Sequence, residues 1–129
     1  EQILEFEIPY LKRAFAEFAG GWVHFCGYAP HLVDILVEVP QVRGINPNYM
    51  VNEDYDYERD AKQMIAHDKF LLGAPFKTRD ESTEQYFQRV LGPFNEKKGL
   101  IFTPRGDELN FSESECVEEL WEKVQEEIF

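Results

Sequence analysis

Four short apolar runs, each followed by a stretch of helical periodicity, leave this chain few ways to fold. The runs are Gly21-Trp22-Val23-His24-Phe25, leading into Cys26-Gly27-Tyr28; Val42-Arg43-Gly44-Ile45-Asn46; Phe70-Leu71-Leu72-Gly73-Ala74; and Gly99-Leu100-Ile101-Phe102-Thr103. Strands that alternate with helices are joined by crossovers and lie parallel in one sheet. Runs this continuously apolar are expected where both sheet faces are covered. Two α/β architectures fit: an open sheet with helices on both sides, or four βα units forming half of an eight-stranded TIM barrel, whose full form takes about 250 residues. The pattern leaves both open, with residues 1–129 as a single domain.

The helical stretches are read from spacing and caps. Leu4, Ile8, Leu11, Phe15 and Phe18 recur at three- and four-residue steps up to Gly20-Gly21, with a break or bend expected near Pro9. Pro30 to Val39 forms a short helix ending before Pro40. Asp54 or Asp56 caps a third helix, with Tyr57, Ala61, Met64 and Ile65 on one face. Ser82 with Gln85, and Ser112 with Glu115, match capping boxes opening the last two helices. Tyr86, Phe87, Val90 and Leu91 face inward on one, and Val117, Leu120, Val124 and Ile128 on the other.

Composition excludes some function classes. With 25 acidic and 13 basic residues the chain carries a net charge of −12, which argues against nucleic acid and anionic membrane surfaces as partners. No apolar run approaches the roughly 20 residues that span a bilayer. Cys26 and Cys116 suggest no disulfide framework, so a reducing cytoplasm is the default location. A chain that opens at Glu1 rather than Met reads as trimmed or as a fragment.

Both architectures place functional residues at the C-terminal ends of the strands. Those ends are Cys26-Gly27, Asn46 to Asn48, Ala74 to Phe76 and Thr103 to Asp107. His24 and Cys26, two apart on a strand, project from one face and can present an imidazole and a thiol at one point. The sharp reading is a divalent-metal site, best suited to zinc; the plain one is a buried, hydrogen-bonded imidazole beside a small thiol. Asp107 or Glu108 can supply a further ligand, whereas Cys116 sits on an outer helix. Arg105 and Asp107 are candidates for binding an anionic substrate, and Asn46 and Asn48 for hydrogen-bonding one; salt-bridged and turn-forming roles compete with these. Tyr49, Tyr55 and Tyr57 form an aromatic group after the second strand, suited to covering a flat ligand, meeting another subunit or capping the core. His31 and His67 read as structural.

With the strand ends placed, the chain resembles the C-terminal half of the uroporphyrinogen decarboxylase superfamily, which includes cobalamin-dependent and zinc-dependent methyltransferases. The matching stretches are Pro9-Tyr10-Leu11-Lys12, His24-Phe25-Cys26-Gly27, Val42-Arg43-Gly44-Ile45-Asn46, Phe70-Leu71-Leu72-Gly73 and Gly99-Leu100-Ile101-Phe102-Thr103-Pro104. The resemblance implies strands five to eight of a TIM barrel, so that residues 1–129 form a single half-barrel domain, and a small-molecule substrate. It implies zinc as cofactor on the methyltransferase branch, with a corrinoid or tetrapyrrole as partner. There a His-x-Cys supplies two zinc ligands and a cysteine after the last strand a third; here that place holds Arg105-Gly106-Asp107. In the decarboxylase branch a histidine stands in a Gly-His-Gly turn, where this chain has Pro104-Arg105-Gly106. The chain is thus expected to be incomplete as a decarboxylase-like lyase or a methyltransferase by itself. The alternative is an interaction module that self-associates as a homo-oligomer or completes a barrel with a missing N-terminal half.

Overall fold

A parallel sheet built in sequential order organises the computed structural model, which describes residues 2–27, 29–47, 56–103 and 116–129. Strands β1 (Gly21–Phe25), β2 (Val42–Pro47), β3 (Phe70–Leu72) and β4 (Leu100–Ile101) lie in the order β1-β2-β3-β4, each pair parallel. Helix α1 (Ile8–Ala16) precedes them, α2 (Pro30–Val37), α3 (Tyr57–Ala66) and α4 (Thr83–Leu91) connect them, and α5 (Val117–Ile128) follows β4. Crossovers of a single hand carry every connecting helix to the same side when the strand order never reverses.

The burial pattern agrees with that rule. Register pairs Val23 with Ile45, Ile45 with Leu71, and Leu71 with Leu100, and all four side chains belong to the hydrophobic core or pack against it. Ile45 and Leu71 are fully buried there, under Val33 and Val37 of α2, Met64 of α3, Phe87 and Val90 of α4 and Val124 of α5. Their strand neighbours point the other way. On that opposite face one row runs Trp22-Gly44-Phe70 and the next His24-Asn46. Trp22, Phe70 and Ile101 are 39%, 38% and 42% exposed. The strands are apolar on both sides, as the sequence suggests, yet the described helices cover only one face.

Local signals explain the element ends. Asp56 caps α3 by accepting a hydrogen bond from the Arg59 amide at 2.9 Å, so Asp56 rather than Asp54 fills the role. Ser82 and Gln85 form both bonds of their capping box on α4. Around Pro9 the chain does not break: a π-helical turn over Ile3–Glu7 runs into α1, with Pro9 in the first turn. Pro9 has no amide to donate, and the bond just before it, from the Ile8 N–H to the Ile3 carbonyl, already spans a wider π turn. Strands β3 and β4 are shorter than their apolar runs, ending at Leu72 and Ile101. Cys116 is the N-cap of α5, while Ser112 and Glu115 lie outside the described residues.

Two further contacts hold the sheet in place. Trp121 of α5 stacks on Phe102 at 4.8 Å and meets Phe87 edge-on at 5.0 Å, closing the core beyond β4. Lys69, 7% exposed, donates from Nζ to the carbonyls of Val39 and Val42, at 2.9 and 2.5 Å, tying the start of β3 to the turn before β2. Burial, with Arg43 nearby, pushes its ammonium below the usual lysine range.

Gly44 allows Trp22 and Phe70 to meet across it, with their ring centroids 5.8 Å apart. A Cβ there would sit 2.5 Å from the Trp22 ring and 2.6 Å from the Phe70 carbonyl, which is backbone and cannot swing aside. Gly44→Ala is expected to destabilise the chain by about 1–3 kcal/mol, the usual cost of overpacking, measured by denaturant unfolding.

Candidate functional site

Parallel strands gather their C-terminal ends at one edge of the sheet, so a side chain near the end of β1 meets its counterpart on β2. His24 on β1 is in register with Asn46 on β2, both on the face that the described helices leave uncovered. His24 Nδ1 lies 2.6 Å from Asn46 Oδ1, and His24 Nε2 lies 3.2 Å from Cys26 Sγ. Asn46 Nδ2 donates to the Leu72 carbonyl of β3 at 2.6 Å. A continuous polar chain therefore crosses three strands, from the Cys26 thiol through imidazole and amide to a backbone carbonyl. His24 and Cys26 are exposed, not buried as the plain reading of this pair expects, although their hydrogen bonding is as it expects.

The surroundings leave room for this arrangement. Gly27, at φ +91°, turns the chain away directly after the thiol, and a Cβ there would meet nothing within 4 Å. Gly73 has φ +96°, and a Cβ on it would approach Asn46 Nδ2 to 3.3 Å. The absence of that Cβ lets the Asn46 amide lie against β3.

Chemically the pair offers one nitrogen and one sulfur donor. Two ligands on a tetrahedral zinc ion stand about 3.5 Å apart, given Zn–N near 2.0 Å and Zn–S near 2.3 Å. The 3.2 Å separation of His24 Nε2 and Cys26 Sγ is close to that spacing. Among the described residues, no group of three or more His, Cys, Asp or Glu side chains is placed to hold a metal ion. Asp107 and Glu108 lie outside the described residues, as do Asn48, Arg105, Tyr49 and Tyr55. Tyr57 belongs to the core rather than to an aromatic cover: it is 7% exposed and its hydroxyl donates to the Val90 carbonyl at 3.0 Å. Burial, reinforced by Tyr86, raises its phenol well above the ordinary range. His67 caps α3 and reaches Glu38 at 3.1 Å, a structural role.

Sequence reading pairs His24 with Cys26 because both lie on one strand. It lists Asn46 only as a separate substrate ligand. The structure puts Asn46 against His24, and Leu72 enters through its carbonyl, which no side-chain motif reveals. The β3–α4 loop on the same rim is held by Arg89, which bonds Glu81 at 2.6 and 3.0 Å and the Phe76 carbonyl at 2.9 Å. Tyr86 adds a bond from its hydroxyl to the Pro75 carbonyl at 2.9 Å.

Scanned against known family models, curated proteins and solved structures, the chain finds no match.

Burial alone raises the Glu81 carboxyl, but hydrogen bonds from Arg89 and the Thr78 amide, with the Arg89 and Lys77 charges, hold it below the ordinary 4.5. A depressed folded value means stability that is present above pH 4.5 and lost as pH falls through the lower folded value. Glu81→Gln is expected to be less stable than the parent by about 1 kcal/mol or less near neutrality. The gap should narrow below pH 4.5 in paired unfolding curves.

Proposed function

We propose that this chain forms the C-terminal half of a (β/α)8 barrel enzyme of the uroporphyrinogen decarboxylase-like superfamily. On this reading its site is of the methyltransferase kind, which makes a thiol substrate nucleophilic. The observation that carries it is the convergence of His24 Nε2 and Cys26 Sγ to 3.2 Å at the strand ends, on the sheet face that the described helices leave uncovered. In a barrel that face lines the interior and those ends form the mouth. Sequential strand order and one-sided helices support the same geometry.

A zinc ion, when bound, lowers the pKa of a thiol it holds, so that a neutral solution suffices to deprotonate it. His24 on β1 and Cys26 directly after it would hold the ion, with Asp107 or Glu108 as the further ligand that the reading requires. Arg105 and Asp107 would bind an anionic substrate group, Arg105 by paired hydrogen bonds, and Asn48 would hydrogen-bond the substrate. The decarboxylase form of the reading is weaker, because Pro104-Arg105-Gly106 has no histidine. Four strands are half of the eight that close a barrel, so the isolated chain binds the ion without turning over substrate. Protein purified without added zinc should carry about one equivalent of it by elemental analysis, lost in both His24→Ala and Cys26→Ala. Less than about a tenth of an equivalent would refute the metal reading.

A second reading, an interaction module, rests on the exposure of Trp22, Phe70 and Ile101. A sheet face left uncovered by the described helices and carrying three large apolar side chains favours association, either with a copy of itself or with an N-terminal half. Light scattering of the chain should give a mass above 15.2 kDa that falls toward the monomer on dilution. A monomer at all concentrations would remove this reading.

A further inference from the structure

The Leu72 carbonyl can only accept a hydrogen bond, and this fixes the rest of the polar chain. Asn46 meets it at 2.6 Å, so the amide must present its NH2 group to Leu72 and its oxygen to His24. An oxygen at 2.6 Å from His24 Nδ1 requires that nitrogen to carry the proton. Nε2 is then the unprotonated nitrogen, and its lone pair faces Cys26 Sγ at 3.2 Å. An amide differs from a carboxylate in being able to present either end, and the wrong end selects the wrong tautomer. Here a backbone carbonyl on the next strand removes that freedom, and the glycine at position 73 leaves space for the NH2 group.

We infer that Asn46 is a positioning residue: it sets the tautomer and ring angle of His24, so that the Nε2 lone pair faces the Cys26 sulfur. This goes beyond binding substrate, since both polar atoms of its side chain are already engaged within the sheet. Its consequence for metal affinity rests on the zinc reading above; its effect on the tautomer does not. Groups that orient a ligating histidine through its second nitrogen typically contribute 10–100-fold to metal affinity.

The two ends of the Asn46 side chain can be tested separately. Asn46→Asp keeps an acceptor for His24 and loses the donor to Leu72, whereas Asn46→Leu loses both. In metal-free protein, long-range 15N–1H correlation spectra should show His24 protonated on Nδ1 in the parent and in Asn46→Asp. In Asn46→Leu the Nε2-protonated form should grow. A parent histidine protonated on Nε2, or an unchanged tautomer in Asn46→Leu, overturns the proposal. Titration with cobalt(II), followed by the thiolate-to-cobalt charge-transfer band, should give affinity within a few-fold of the parent for Asn46→Asp and 10–100-fold weaker for Asn46→Leu. If Asn46→Asp weakens binding as much as Asn46→Leu, the residue acts by tying β2 to β3, and the positioning role is wrong. If the parent binds no cobalt, the zinc reading fails and the tautomer spectra alone decide the role of Asn46.

Discussion

One-sided burial of a sequentially ordered parallel sheet is the constraint on which the other features depend. With no reversal in strand order, the helices and the core they bury lie on the side of Ile45 and Leu71. The other side receives whatever the alternate strand positions carry. Those positions are graded along the strands: Trp22, Gly44 and Phe70 make an apolar row, and His24 with Asn46 make a polar one nearer the C-terminal ends.

The polar row depends on strand register more than on any local motif. His24 meets Asn46 only because β1 and β2 pair with Val23 opposite Ile45, after a register shift between Gly21 and Trp22. Moving that pairing by one residue would send every side chain of one strand to the wrong face. Core burial of Val23 and Ile45 thus fixes the register, and the register fixes the site. Lys69, just before β3, anchors the N-terminal end of β2 through two carbonyls at the α2–β2 turn.

Much of this was legible from local pattern. The βα alternation, the inward faces of α3, α4 and α5, the Ser82–Gln85 capping box and the shared face of His24 and Cys26 all depend on residues close in sequence. What escaped reading depends on distant pairing. Apolar strands suggested two covered faces, because composition cannot distinguish a residue buried under helices from one left bare, as Phe70 is. The partnership of His24 with Asn46 spans 22 positions, and that of Asn46 with the Leu72 carbonyl spans 26. Pro9 signalled a disturbance that the backbone absorbed in a wider turn upstream.

The two tryptophans fall on opposite sides of the sheet. Trp22 stands on the bare face beside Phe70, 39% exposed, while Trp121 is stacked on Phe102 in the helical layer. Their fluorescence therefore divides the molecule optically. A soluble quencher should reach the first indole and largely spare the second, and any body that settles on the bare face should shift Trp22 emission to the blue while leaving Trp121 as it was. The chain carries its own reporter of whether its exposed face has found a cover.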